Sequence, residues 1–153
     1  MKLMMNGAIT LGTYDGANIE IAQLVGEDNI KIFGLRTEEV DKLRAEGGYF
    51  AWDLYNKYHD SIGRIVDRLT DDTYARLSGN FQNVRDELMV NNDHDLVLAD
   101  YASYIEAWEE LSEAYGERRS WNRSAIHNTS QSGYFSSDRT IREYASEIWH
   151  IGE

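Results

Sequence analysis

Cysteine and proline are both missing from these 153 residues. Without cysteine there is no disulfide framework, no thiolate metal site and no cysteine nucleophile, which fits a reducing compartment. An average chain of this length would hold about eight prolines; here element boundaries must be read from glycines and capping side chains instead, and no function follows from the absence. Long apolar runs are also lacking. None approaches the ~20 residues of a membrane helix, and no charged-then-apolar leader opens the sequence. Basic charge is scarce, with 15 Lys and Arg against 27 Asp and Glu and a formal net charge of -12. Such a chain repels phosphate backbones and anionic lipid surfaces, so neither nucleic acid nor membrane is an expected partner. A soluble, cytoplasmic protein is expected.

What is present is ordinary globular material, 42% hydrophobic and 27% charged, enough for one domain over 1–153 that buries roughly 70% of its unfolded surface. Gly7–Thr13 is short, apolar and bounded by glycines, as a buried strand is. Asp15 then caps a helix with Ala17, Ile21, Leu24 and Val25 at helical spacing and Gly26 as its left-handed stop. Ile30–Leu35 reads as a second strand. Strand, helix and strand within about thirty residues make one βαβ unit, hence a parallel sheet.

The remainder reads as helices. Thr37 caps one that carries Glu38 and Glu39 in its first turn and ends at Gly47-Gly48. A longer helix from Trp52 turns Leu54, Tyr55, Tyr58, Ile62, Ile65, Val66 and Leu69 to one face. Another spans Asn80–Val90 with Phe81, Val84 and Leu88 inward, before a polar loop at Asn91–Asp95. Asp100 caps the clearest helix. Its buried stripe is Tyr101, Tyr104, Ile105, Trp108, Leu111 and Tyr115, its wet face holds Glu106, Glu109, Glu110 and Glu113, and Gly116 ends it. A helix from about Ser120 buries Trp121, Ala125 and Ile126. The last starts near Ser137-Asp138, with Thr140 and Glu143 at capping-box spacing, and buries Ile141, Tyr144, Ala145, Ile148 and Trp149.

Local chemistry is sparse. His59, His94, His127 and His150 lie far apart, with no pair at metal-binding spacing. Asn91, Asp93 and Asp95 alternate like the start of a calcium loop, but Leu96 stands where the loop needs glycine and no glutamate closes it, so a solvated loop is expected. No nucleophile elbow, phosphate loop or dinucleotide fingerprint occurs. The Glu106–Glu113 face reads as a wet helical face rather than paired catalytic acids. Arg118, Arg119 and Arg123, the one basic cluster, offset the acidic helix before them.

The opening M-K-L-M-M-N, Met1 to Asn6, resembles the end of the pyridoxal-phosphate attachment signature of the α-glucan phosphorylases, the glycogen, starch and maltodextrin enzymes. The likeness continues through G-A-I-T-L-G-T-Y-D-G-A-N-I-E (Gly7–Glu20), I-F-G-L-R (Ile32–Arg36), A-D-Y (Ala99–Tyr101), W-N-R-S-A-I-H-N (Trp121–Asn128), S-G-Y-F-S-S-D-R-T-I (Ser132–Ile141) and E-Y-A-S-E-I-W (Glu143–Trp149). Only about Asp71–Asp95 matches weakly.

The resemblance implies an α/β fold, the C-terminal part of a GT-B Rossmann-like domain, mostly helical with one βαβ unit near the N-terminus. It implies that Lys2 is the lysine that forms the Schiff base with pyridoxal phosphate. In the family, the cofactor phosphate relays a proton while inorganic phosphate cleaves a terminal α-1,4-glucosidic bond of an α-glucan, giving glucose 1-phosphate. The glutamate and glycines that precede the Met-Lys pair in the family, and the other phosphate-binding basic residues, lie before this chain's first residue. Residues 1–153 are therefore expected to be a single C-terminal fragment of the second, cofactor-carrying domain, inactive alone and not retaining the cofactor, with Lys2 a frayed, solvated side chain.

The alternative is a non-catalytic module that self-associates as a homo-oligomer or complements an upstream phosphorylase portion, through an unpaired strand edge and through Tyr144, Ile148 and Trp149. A third reading, glucan stacking on ten tyrosines and four tryptophans, is weaker because most of these fall on expected core faces.

Overall fold

The computed structural model describes residues 1–75 and 81–151. Two compact units divide the chain: Met1–Ile32 together with the chain from Ala107 onward, and Phe33–Glu106. No helix among the described residues is long and apolar enough to cross a membrane.

The first unit opens on a one-turn helix that the sequence pattern does not announce, α1 (Lys2–Met5), followed by β1 (Leu11–Thr13), α2 (Gly16–Val25), a 3-10 turn at Glu27–Asn29 and β2 (Lys31–Phe33). The strands pair in parallel as a two-stranded sheet, with the Lys31 N–H donating to Thr10 O at 2.8 Å. Both are shorter than the expected Gly7–Thr13 and Ile30–Leu35, and every paired residue is half-buried rather than buried. Two strands alone leave each with an open edge, and parallel sheets are covered on both faces only when flanked more fully.

In α2, Ile21, Ala22 and Val25 are buried and Leu24 partly so, but Ala17 is exposed. Asp15 holds the cap position, yet its carboxylate accepts from Thr13 Oγ1 at 2.9 Å instead of from a helix N–H. Gly26 has φ +78° with an extended ψ of 157°, so its stop is not the left-handed helical one. The unit's core is Met4, Ile21, Ala22, Val25 and Ile30, with Tyr14, Leu24, Ile32 and Phe135 packed against it.

Helix α9 (Arg118–Gln131) starts two residues ahead of the expected Ser120. Its inward face is also rotated: Ile126 is 70% exposed, and Asn128 is the fully buried residue. A 3-10 turn at Ser132–Phe135 leads to α10 (Ser137–Glu143) and a wide π turn at Tyr144–Ile148. The cap of α10 is Ser136, one residue before the expected position, whose Oγ accepts the Arg139 N–H at 3.3 Å. Ile141, Tyr144, Ile148 and Trp149 are exposed, not buried.

The second unit begins with α3 (Thr37–Glu46), which is closed by Gly47 in the left-handed conformation. Arg36, not Thr37, is its cap residue, and Glu39 accepts the Arg36 backbone N–H at 2.7 Å. The expected long helix from Trp52 is broken into α4 (Ala51–Lys57), a π turn at His59–Gly63 and α5 (Arg64–Arg68). The wide turn sets everything after it back by about one residue's rotation, ~100°. Val66 is thereby buried and Ile65 is carried out to 55% exposure.

After α6 (Asp72–Ala75) comes α7 (Gln82–Met89), in which Met89 is buried and Val84, expected inward, is exposed. Asn80, the expected helix start, lies outside the described residues. The second core gathers Ala51, Ile62, Val66, Met89 and Leu98. Helix α8 (Tyr101–Gly116) runs from this unit into the first. Its expected stripe is half covered: Tyr101, Ile105 and Leu111 are half-buried, Tyr104, Trp108 and Tyr115 are exposed, and the fully buried residue is Ala107.

Candidate functional site

Lys2 is the first residue of α1, and its side chain is exposed. The turn that carries it is well held for so short a helix. Asn6 Nδ2 donates to Lys2 O at 2.8 Å, the Gly7 and Ala8 N–H groups donate to Met4 O and Leu3 O at 3.0 and 3.1 Å, and Met4 sits 1% exposed in the core. Gly7 takes φ +78° and passes so close to α9 that an added Cβ would stand 3.4 Å from Ala125 Cβ and 3.6 Å from Thr129 Oγ1. The added Cβ would make ordinary contact there, so it is the positive φ that favours glycine.

Helix α9 braces the same unit further along. His127 Nε2 lies 3.2 Å from Val25 O, and Asn128 Nδ2 donates to Asn29 O at 2.8 Å and Ser124 O at 2.9 Å. Asn128 Oδ1 is buried without a partner among the described residues. The W-N-R-S-A-I-H-N block therefore positions the lysine turn and the end of α2, a role that its apolar spacing does not reveal.

Lys2 borders a groove of about 460 Å³ whose other walls include Met4, Thr10, Leu11, Asn18 and Ile21. Asn18 Nδ2 donates to Thr13 O at 2.9 Å and would lie 2.6 Å from a Cβ on Gly12, which fixes glycine at that position of the G-T-Y-D-G-A-N stretch. The cofactor that the resemblance implies makes two demands, an amine for its aldehyde and cations or free N–H donors for its phosphate. Lys2 meets the first. The side chains answer the second only in part: among the described residues Lys2 is the groove's one cationic side chain, and the Asn18 amide is already committed to Thr13. The described residues around Lys2 do not by themselves fit the whole cofactor.

The other candidates separate cleanly. No group of three His, Cys, Asp or Glu side chains among the described residues could hold a metal. Arg118 lies over the Tyr115 ring at 4.0 Å, while Arg119 and Arg123 are exposed. The Asn91–Asp95 segment is exposed as expected at every residue but Asp93. Asp93 is 1% exposed and accepts from Tyr49 OH at 2.6 Å, Val97 N at 2.9 Å and Leu98 N at 2.7 Å.

Asn92 completes the knot: its Oδ1 accepts the Ala51 N–H at 2.8 Å and its Nδ2 donates to Tyr49 O at 3.0 Å. Asn92, Asp93 and Leu96 all have positive φ. Burial first, then the Asp93 hydrogen bond and charge, hold the Tyr49 phenol well above its ordinary pKa. Asx residues tolerate the left-handed region and bond to nearby backbone, which is the one sequence signal for this knot.

Asp100, expected as a helix cap, accepts the Leu35 N–H at 2.8 Å, and Ser103 Oγ accepts the Gly34 N–H at 2.8 Å. These contacts fix the I-F-G-L-R and A-D-Y blocks against each other within the second unit.

The carbohydrate phosphorylase family profile matches residues 1–151. Glycogen phosphorylase of Bacillus subtilis is 47% identical over 152 residues, that of Synechocystis 44% over 152, and the human muscle form 40% over 151. Each alignment covers 99% of this chain and 18–19% of the relative, so the chain spans under a fifth of the length of these curated relatives. A profile match running through Lys2, the glycine-rich first unit and the knot of the second, with relatives at these identities, makes the chain a member of the carbohydrate phosphorylase family.

Proposed function

We propose that residues 1–153 form the C-terminal, lysine-bearing part of the second Rossmann-like domain of a GT-B α-glucan phosphorylase. Lys2 is the pyridoxal-phosphate anchor, and the complete enzyme is a cytoplasmic transferase that uses phosphate to release glucose 1-phosphate from terminal α-1,4-glucosidic bonds. The observation that carries this reading is the family match over residues 1–151, whose first block puts an exposed lysine on a turn held by a buried methionine. That Lys2 is the one cationic side chain of the groove among the described residues supports a narrower claim. Alone, the chain neither retains the cofactor nor turns over.

Incubation with pyridoxal phosphate, borohydride reduction and peptide mapping tests this among the four lysines, Lys2, Lys31, Lys42 and Lys57. The isolated chain is expected to label Lys2 no more than exposed Lys42, and to release no glucose 1-phosphate from maltodextrin. Co-expression with the upstream portion of the Bacillus subtilis relative should concentrate the label on Lys2 and restore release. Label concentrated on another lysine would refute the anchor, and release by the isolated chain that Lys2→Ala abolishes would refute inactivity.

A second reading is favoured by the apolar side of the last helical segment, where Ile141, Tyr144, Ile148, Trp149 and Ile151 are all exposed. Here the chain is a non-catalytic module that self-associates as a homo-oligomer or complements an upstream phosphorylase portion. Light scattering across a concentration series should show mass rising above the monomer's, with Ile148→Lys reducing it. A monomeric mass throughout would exclude self-association.

A further inference from the structure

We propose that the first unit carries a second binding groove, selective for a neutral oligosaccharide and separated from the Lys2 groove by Ile9, which lines both. The cavity has about 460 Å³, within the size range of small-molecule sites. Its wall is the half-buried indole of Trp121. Tyr115 meets the ring edge-on, with centroids 5.0 Å apart at 89°, and the Arg118 guanidinium lies over Tyr115 at 4.0 Å. The floor is apolar, formed by Ile30, Leu111 and Ala114.

The rim decides the ligand class. Glu27, Asp28 and Glu117 are exposed, and their carboxylates have no hydrogen-bond or ion-pair partner among the described residues, while Ser120 and Ser124 add hydroxyls. Lys31, the one cationic side chain of the groove among the described residues, is already paired with Glu110. Four carboxylates against one lysine disfavour any phosphate ester, the cofactor included. An organic cation would want several aromatic faces around it, and one indole is not a cage. A sugar ring matches the arrangement, with an apolar C–H face for the indole and a hydroxyl edge for carboxylate acceptors and serine hydroxyls. The choice of an α-1,4-glucan among saccharides rests on the phosphorylase reading above.

Titration of the full chain with maltoheptaose, followed by amide and indole NMR shifts, should show saturable binding on the order of 1 mM. The shifts should centre on Trp121. Trp121→Ala should weaken binding at least about tenfold and Glu117→Gln about threefold. Glu117 is exposed and unpartnered, so its variant remains a test even if Trp121→Ala fails to fold. Cellopentaose binding in place of maltoheptaose, with the same mutational losses, would uphold the groove and count against the α-glucan reading. Absence of binding by both saccharides, binding indifferent to both substitutions, or preferential binding of choline or glucose 1-phosphate would overturn the proposal.

Discussion

Asp93→Ala is expected to destabilise the unit formed by Phe33–Glu106 by about 3 kcal/mol, because three donors, one buried and two part-buried, lose one acceptor together. The Tyr49 hydroxyl and the Val97 and Leu98 N–H groups all end on this carboxylate, which is 1% exposed. Removing it also releases a chain segment held at positive φ at Asn92, Asp93 and Leu96, a conformation that non-glycine residues adopt only when their surroundings hold them there. Asp93→Asn keeps the volume and one acceptor and should lose less than half as much. Asp95→Ala, at an exposed position two residues on, should stay within about 0.5 kcal/mol.

Urea unfolding followed by far-ultraviolet circular dichroism measures all three variants, and an Asp93→Ala midpoint equal to that of Asp95→Ala would refute the knot's importance. Tyr49 adds a pH dependence whose sign is fixed. Its phenol pKa is raised in the folded state, chiefly by burial, so the contribution is whole below the ordinary tyrosine pKa of 10.0. As pH climbs past that value the unfolded chain gives up the proton first, and the second unit weakens.

Gly34→Ala carries the second large effect, about 3 kcal/mol, from two independent causes. Gly34 has φ +82°, and a Cβ there would stand 2.6 Å from Asp100 Oδ2 and 2.7 Å from its Cγ. Asp100 cannot move aside freely, since its Oδ1 accepts the Leu35 N–H at 2.8 Å while Ser103 Oγ holds Gly34's own N–H at 2.8 Å. Gly47→Ala isolates the backbone part. Its φ is +65° with nothing within 4 Å of the added methyl, so it should cost about 1 kcal/mol. Thermal melts of the two variants test the division, and equal losses would mean that the Asp100 collision contributes nothing.

The sequence by itself determined this protein's family and much of its local order. The blocks from Met1–Asn6 to Glu143–Trp149 identify the phosphorylases. The apolar spacing of Ile21 and Val25 places α2 correctly, and Gly47 ends α3 as read, because capping and stop signals act over a few residues and need no partner from elsewhere.

Tertiary structure decided which faces are covered. Periodicity marks an apolar stripe but not what packs on it, so Tyr104, Trp108 and Tyr115 of α8 and Ile141 and Ile148 at the chain's end sit at core spacing and are exposed. A single wide turn at His59–Gly63 rotated Ile65 outward, a shift that no helical spacing can register in advance. Asp93 and Asn128 go the other way, polar residues buried because a group distant in sequence meets each of them, the Tyr49 hydroxyl on Asp93 and the Asn29 carbonyl on Asn128. Lys2 shows the same division. Its residue type and neighbours resemble the family's lysine block, while only the folded turn, pinned by Met4 and laid against Ala125, sets where its amine stands and which described side chains line the groove beside it.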